Sequence, residues 1–233
     1  KRADKLIFIS KFGKRYIDKI TRNTIKNSVV IPHGVSEYFF LNESSCNNLN
    51  YSKIDYILYP STIDFYKNQM EVVQAYKILT NLLTKVPKLI FVGSENQPYA
   101  KNLKLFIRNQ ELEENIILTG SVDYNEMSSL YRNARFVVFA SRSENCPNIL
   151  IEAMTAGKAI LCSRKYPMPE FGKDGVLYID SNNPKDIFEK LLFLINNENI
   201  LKDYEQKAKK IAKNYTTKRC FENTWKFLLN WLY

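Results

Sequence analysis

The sequence predicts an α/β fold, a doubly wound parallel sheet followed by C-terminal helices. Three observations carry that prediction. Short apolar runs of strand length alternate with helix-length segments from Asp55 to Ile179, the pattern of a parallel sheet with helices on both faces. The clearest run, Phe136–Ala140, is apolar and rich in β-branched and aromatic residues, and reads as a buried strand. Finally, Lys67, Gly120-Ser121, Glu144 and Pro147 all stand just after strand ends. Open α/β sheets bind ligands outside the carboxyl ends of their strands, so these residues converge on one rim.

Taken in order, Leu6–Ser10 reads as a strand and Lys11–Ile20 as a helix. Val29–Ile31 is a second short strand, stopped by Pro32-His33-Gly34, where His33 reads as a turn residue. Leu41–Ser52 is polar and rich in asparagine, a loop. Asp55–Tyr59 opens the main repeat, and Pro60–Asn68 turns into a helix over Gln69–Leu83. Strand Lys88–Val92 ends at Gly93 and the polar turn Ser94–Pro98, before a helix over Tyr99–Asn109. Strand Ile116–Thr119 runs into Gly120-Ser121-Val122, a turn like any other when read alone. The next helix, Tyr124–Arg132, carries Met127, Leu130 and Tyr131 on one face.

After strand Arg135–Ala140 comes the polar loop Ser141–Cys146 and a helix over Asn148–Ala156. Pro147 suits the first helical position, where its missing N–H would be unpaired anyway, and Gly157 suits the C-terminal cap. Ala159–Ser163 and Val176–Ile179 are the remaining strands. From Asn183 the chain is helical, over Pro184–Asn196, Ile200–Asn214 and Lys218–Trp231. Trp225, Phe227, Leu228, Trp231 and Leu232 form an apolar stripe at helical spacing, and core packing is the favoured explanation.

The stretch from Ala140 to Ser163 bears the chemistry. A helix start presents unpaired N–H groups and partial positive charge, which suits an anion. Glu144 in the loop and Glu152 on the helix flank that start. Carboxylates accept hydrogen bonds from vicinal hydroxyls, so one could serve each sugar of a nucleotide sugar with the diphosphate between. Read alone, the two glutamates are an ordinary solvated pair, because such a spacing arises by chance. Lys67, at a strand-to-helix turn, is a point charge for phosphate or an exposed loop lysine.

The whole string decides between those readings. Glu144-Asn145-Cys146-Pro147-Asn148 through Glu152-Ala153-Met154-Thr155-Ala156-Gly157 resembles the donor-binding signature of the family 4 retaining glycosyltransferases, glycosyltransferase group 1. The resemblance implies a Rossmann-like C-terminal domain of a GT-B enzyme. It implies that Glu152 holds the ribose diol and Glu144 the sugar hydroxyls. Asn145, Cys146, Pro147, Asn148 and Ile149 would line the diphosphate and sugar with backbone groups, and Lys67 would neutralise the leaving group. Gly120, Ser121 and Val122 correspond to a turn that lies against the base.

The family's Gly-Arg-Leu-x-x-x-Lys-Gly turn departs here: the arginine position is assigned to Ser61, leaving one cation where two are usual, with Arg142 or backbone N–H groups making up the difference. Met168-Pro169-Glu170-Phe171 resembles a loop that faces the donor sugar. Lys1–Val35 is similar to the edge of the second domain just after the interdomain linker. By this resemblance residues 1–50 are a domain edge and linker, 51–215 the nucleotide-sugar domain and 216–233 a crossover helix, with the N-terminal acceptor domain absent, which would leave part of the apolar stripe exposed as a self-association patch.

Composition limits the alternatives. The chain has 233 residues, 45% of them hydrophobic, enough for one large domain or one and a half with a packed core. No apolar run is long enough to span a bilayer and no signal-peptide pattern opens the chain. Cys46, Cys146, Cys162 and Cys220 are scattered and His33 is the single histidine. That argues against a zinc site and for reduced cytosolic thiols. No metal and no cofactor is expected. The net charge of +10 reads first as lysine-rich solvated faces, and second as a peripheral contact with an anionic membrane at its inner face.

The function expected is that of a glycosyltransferase fragment. It would bind a UDP-, GDP- or ADP-linked sugar and, in the full-length enzyme, transfer that sugar with retention to a glycan, lipid-linked or polysaccharide acceptor. Alone, the fragment is expected to bind donor without transfer. A GT-B epimerase would share the architecture but turn over donor alone. A glycoside hydrolase would need two acids close together across a scissile bond. A nucleic-acid module lacks an interleaved aromatic and basic motif, and no nucleic acid is expected as partner.

Overall fold

The structure is a computed structural model that describes residues 5–22, 25–36, 51 and 53–229. The asparagine-rich stretch 41–50, Cys46, Trp231 and Leu232 lie outside the described residues. A small N-terminal unit comes first, with β1 (Leu6–Phe8), helix α1 (Lys11–Ile20) and β2 (Ser28–Val30), the two strands paired in parallel. Ser10 caps α1, its hydroxyl accepting from the Gly13 N–H.

The main sheet contains β3 (Tyr56–Pro60), β4 (Lys88–Val92), β5 (Ile116–Leu118), β6 (Phe136–Phe139), β7 (Ile160–Ser163) and β8 (Leu177–Ile179). All pair in parallel, in the order β5-β4-β3-β6-β7-β8. Winding starts at β3, runs outward to β5, then returns to β6 and runs the other way. β3 and β6 are therefore the topological switch point, with Leu58 opposite Val137. The expected fold class, a doubly wound Rossmann-like sheet, is the observed one.

The helices are α2 (Gln69–Leu82), α3 (Tyr99–Asn109), α4 (Tyr124–Asn133), α5 (Asn148–Thr155), α6 (Met168–Gly172), α7 (Pro184–Asn196), α8 (Glu198–Ala212) and α9 (Thr217–Leu229). Side-chain alternation divides the core into two layers. Ile57, Tyr59, Leu89, Phe91 and Val138 face α2, α3 and α7. Tyr56, Leu58, Ile90, Val137 and Phe139 face α4, α5 and α6. Strands buried on both faces can be apolar at every position, which is why these runs do not alternate with polar residues. Each fully buried large side chain contributes about 1.5–3 kcal/mol.

In the described part of α9 the favoured expectation, core packing, does not hold, and the exposure that the resemblance implies does. None of its described residues is buried, and Phe221, Trp225, Leu228 and Leu229 are exposed. The helix is tied down at its start, where the Thr217 N–H and hydroxyl both donate to the Val35 carbonyl. Further along, Lys5 Nζ donates to the Phe227 carbonyl at 2.6 Å. The sheet already has helices on both faces, so the described residues of the stripe find no core to enter. Among the described residues, no helix is long and apolar enough to cross a membrane.

Candidate donor site at the switch point

Beyond β3 the chain must leave the sheet and re-enter as α2, and its local sequence sets the path. The Asp64 carboxylate accepts from the Phe65 N–H at 2.6 Å and starts a short 3-10 turn, Phe65–Lys67. Asn68 follows with φ of +58°, left-handed, which asparagine tolerates better than other side chains do. Its amide is buried and donates to the Ser181 carbonyl at 2.6 Å, anchoring the turn beside the β8–α7 connection. Lys67 is thereby placed over the carboxyl end of the sheet.

The second loop, after β6, is joined to the first. The Arg142 N–H donates to the Tyr66 carbonyl at 2.8 Å. Beneath them the fully buried Tyr59 hydroxyl donates to the Lys67 carbonyl and accepts from the Ala140 N–H. Across this seam Lys67 Nζ lies 2.5 Å from Glu144 Oε1, with the lysine side chain 8% and the glutamate 16% exposed. The ammonium is also 4.8 Å from the Tyr66 ring centroid and 5.8 Å from that of Phe139. A cation this buried, with aromatic faces around it, is strongly held.

α5 starts beyond that pair. Pro147 stands at the N-cap with φ of −80° and ψ of 77°, and Asn148 is the first helical residue, so the expected placement of Pro147 inside the helix is off by one. The cause is a tight turn in which the Asn148 N–H donates to the Cys146 carbonyl at 2.9 Å. Pro147 offers no side-chain cap, and among the described residues no side chain is hydrogen-bonded to the N–H groups of this first turn. Asn145 Oδ1 accepts from the Ser10 hydroxyl at 3.0 Å, and His33 Nδ1 lies 3.2 Å from Asn148 Oδ1. The N-terminal unit thus braces this loop. Burial of the Cys146 thiol, opposed by a backbone hydrogen bond to His33, pushes its pKa to about 11 and keeps it protonated at neutral pH. Ile149 is half-buried against the second core layer.

Glu152, just past the first turn of α5, has Oε2 3.0 Å from the hydroxyl of the buried Tyr131 on α4. Burial raises the Glu152 pKa above the ordinary carboxylate value, and the Tyr131 hydrogen bond opposes that rise. Gly120, after β5, has φ of +70°, and among the described residues nothing beyond its chain neighbours lies within 4 Å of where a Cβ would stand. Ser121 is exposed and Val122 packs against the second core layer. The backbone at Gly120 therefore borders open space at the rim.

Three expectations change in this setting. Ser61 is buried, and its hydroxyl accepts from Gln69 Nε2 at 3.0 Å. Counting the arginine-to-lysine spacing back from Lys67 in fact reaches Thr62, not Ser61. Thr62 carries no charge either, and its hydroxyl lies 3.2 Å from that of Ser94. The Arg142 guanidinium is already 2.6 Å from Glu71 Oε1. Glu170 does not lie in an open loop: its two oxygens accept from the Lys11 and Phe12 N–H groups at 2.7 and 2.9 Å. It belongs to the one-turn helix α6 and caps the start of α1, because a carboxylate is the favoured partner of free N–H groups there.

Sequence reasoning missed Tyr59 and Tyr131, which it treated as apolar packing residues. The available signal was that a buried tyrosine usually finds a partner for its hydroxyl. In both cases that partner belongs to the rim.

A sequence profile of the family described as glycosyl transferases group 1 matches residues 43–211, well over half of the chain. The chain belongs to that family. Curated relatives of this glycosyltransferase domain include an uncharacterized glycosyltransferase of Methanocaldococcus jannaschii, 26% identical over 94% of the chain and 57% of the relative. Another is the Campylobacter jejuni N-acetylgalactosamine-N,N'-diacetylbacillosaminyl-diphospho-undecaprenol 4-alpha-N-acetylgalactosaminyltransferase, 28% identical over 76% of the chain and 47% of the relative. The chain thus spans about half the length of these curated relatives.

Solved structures agree on the fold. A Rickettsia africae glycosyltransferase superposes with a TM-score of 0.85 at 18% identity, covering 98% of this chain and 63% of that one. Anabaena HepE, solved in complex with UDP and glucose, superposes with a TM-score of 0.84 at 16% identity, covering 98% and 64%.

Proposed function

We propose that this chain is the donor-binding half of a retaining glycosyltransferase that takes a nucleoside diphosphate sugar. The single observation that carries the reading is the seam at the switch point. There a cation, a carboxylate and an uncapped helix start meet where such sheets bind ligands. The family membership and the UDP named in the HepE structure support the same class of ligand.

In this reading the diphosphate lies at the first turn of α5, where the helix N-terminus and Lys67 complement its charge. Glu152 accepts from the ribose diol at one end and Glu144 from sugar hydroxyls at the other. The chemistry is heterolysis of the bond between the anomeric carbon and the β-phosphate oxygen. The bonding pair leaves with the diphosphate, and Lys67 stabilises the charge that develops there. An acceptor hydroxyl then bonds to the anomeric carbon from the same face, its proton passing to the departing β-phosphate oxygen, giving retention, with no metal taking part. We assign to this chain the donor half of that reaction.

Calorimetric titration with UDP-, GDP- and ADP-sugars tests the reading. One of the three should bind the wild type, and Glu152→Ala should weaken it by about tenfold or more, the worth of a charge-assisted hydrogen bond to a ribose hydroxyl. Wild type that binds none of them, or Glu152→Ala that binds equally well, overturns the assignment.

A further inference from the structure

Both cations of the two rim loops are engaged by carboxylates before any ligand arrives. Lys67 is 2.5 Å from Glu144 and Arg142 is 2.6 Å from Glu71. They differ in surroundings: the Arg142 and Glu71 side chains are 40% and 21% exposed, those of Lys67 and Glu144 only 8% and 16%. A surface pair exchanges readily with water and is worth little. A pair this enclosed is not replaced by solvent without cost, so a ligand that takes Lys67 must also leave Glu144 satisfied.

That requirement separates two ligands of the same site. An intact sugar donor brings a diphosphate for Lys67 and hydroxyls for Glu144, so both partners are re-paired when the salt bridge opens. A nucleoside diphosphate without its sugar brings only the anion. It must either compete with Glu144 for one ammonium or leave a half-buried carboxylate beside its own negative charge. Lys67 is the one cation of the β3–α2 turn from Ser61 to Asn68, so the turn supplies no second one to relieve the competition.

We propose that Glu144, through its ion pair with Lys67, sets the preference of this site for the sugar-bearing donor over the nucleoside diphosphate product. The inference rests on the donor-site reading above. It makes the carboxylate a specificity-determining residue whose effect on the product is repulsive. Release of the product would then be favoured by the lysine returning to Glu144.

The test is titration of wild type, Glu144→Gln, Lys67→Met and the double variant with UDP, GDP and ADP. Whichever nucleoside diphosphate the wild type binds, Glu144→Gln should bind it about tenfold tighter or more, in line with measured couplings between close charge pairs. Lys67→Met should bind it more weakly than wild type, and adding Glu144→Gln to Lys67→Met should restore little, because the gain passes through Lys67. Should Glu144→Gln not fold, Glu144→Asp keeps the charge but withdraws it from the ammonium, and its affinity should move in the same direction. Equal or weaker product binding by the folded Glu144 variants, or a gain that persists without Lys67, overturns this inference and leaves the donor assignment intact. If no variant binds any of the three while all melt cooperatively near the wild-type temperature, the donor assignment itself fails.

Discussion

Tyr59→Phe removes one oxygen from the centre of the molecule. The ring is fully buried in β3, and its hydroxyl joins the Lys67 carbonyl to the Ala140 N–H. Burial also holds this phenol well above its ordinary pKa, so it stays a neutral donor throughout the working range. Phenylalanine fills the same space, so no cavity term enters. What changes is that a carbonyl and an N–H inside the protein both lose this partner. Each buried polar group left unpaired costs about 1–3 kcal/mol, so the variant should lose about 2–4 kcal/mol. For a chain of this size that corresponds to a fall in Tm of about 5–15 °C.

The assay is guanidinium unfolding of wild type, Tyr59→Phe and Tyr76→Phe as a matched control. Tyr76 is equally buried and its hydroxyl donates to the Pro87 carbonyl at 2.7 Å, on α2 and away from the seam. Both variants should be destabilised. Only Tyr59→Phe should also weaken nucleotide binding measured well below its Tm, because it frees the loops that carry Lys67 and Glu144 from each other. A loss of stability under ~0.5 kcal/mol, the range of inert surface changes, or equal nucleotide affinity in the two variants, would refute the bridging role.

Two further outcomes follow from individual groups. Because burial raises the folded-state pKa of Glu152 above its ordinary 4.5, the protonated form is favoured by folding. Its stabilising contribution is full below about pH 4.5 and lost as pH rises through the raised value. Glu152→Gln should therefore gain stability relative to wild type as pH rises to 7 and lose that gain on acidification; thermal melts across pH 4–7 showing the opposite slope would contradict it. Gly93 has φ of +149°, and a Cβ there would stand 2.2 Å from the Ser61 carbonyl oxygen. Gly93→Ala should cost about 3 kcal/mol or more, read by chemical denaturation, because β3 and β4 end too close together for any side chain.

The order of strands and helices was determined by the sequence itself. Lys11–Ile20, Lys88–Val92, Tyr99–Asn109 and Pro184–Asn196 occur at the bounds their periodicity indicates. Periodicity is a local property, since a face becomes apolar residue by residue. The rim was also legible, because the connection rule alone sends every strand-to-helix turn of a parallel sheet to the carboxyl edge.

Only the tertiary structure decided which groups meet there. The Lys67–Glu144 contact spans 77 positions and the Tyr59–Ala140 bond 81. Tyr131 reaching Glu152, and Glu170 turning away to cap α1, are decisions of the same kind. A carboxylate or hydroxyl bonds only to what packing leaves within about 3 Å of it, and that distance is set by several elements at once. Sequence therefore names the charged and polar groups available to the site, while the folded arrangement assigns their partners.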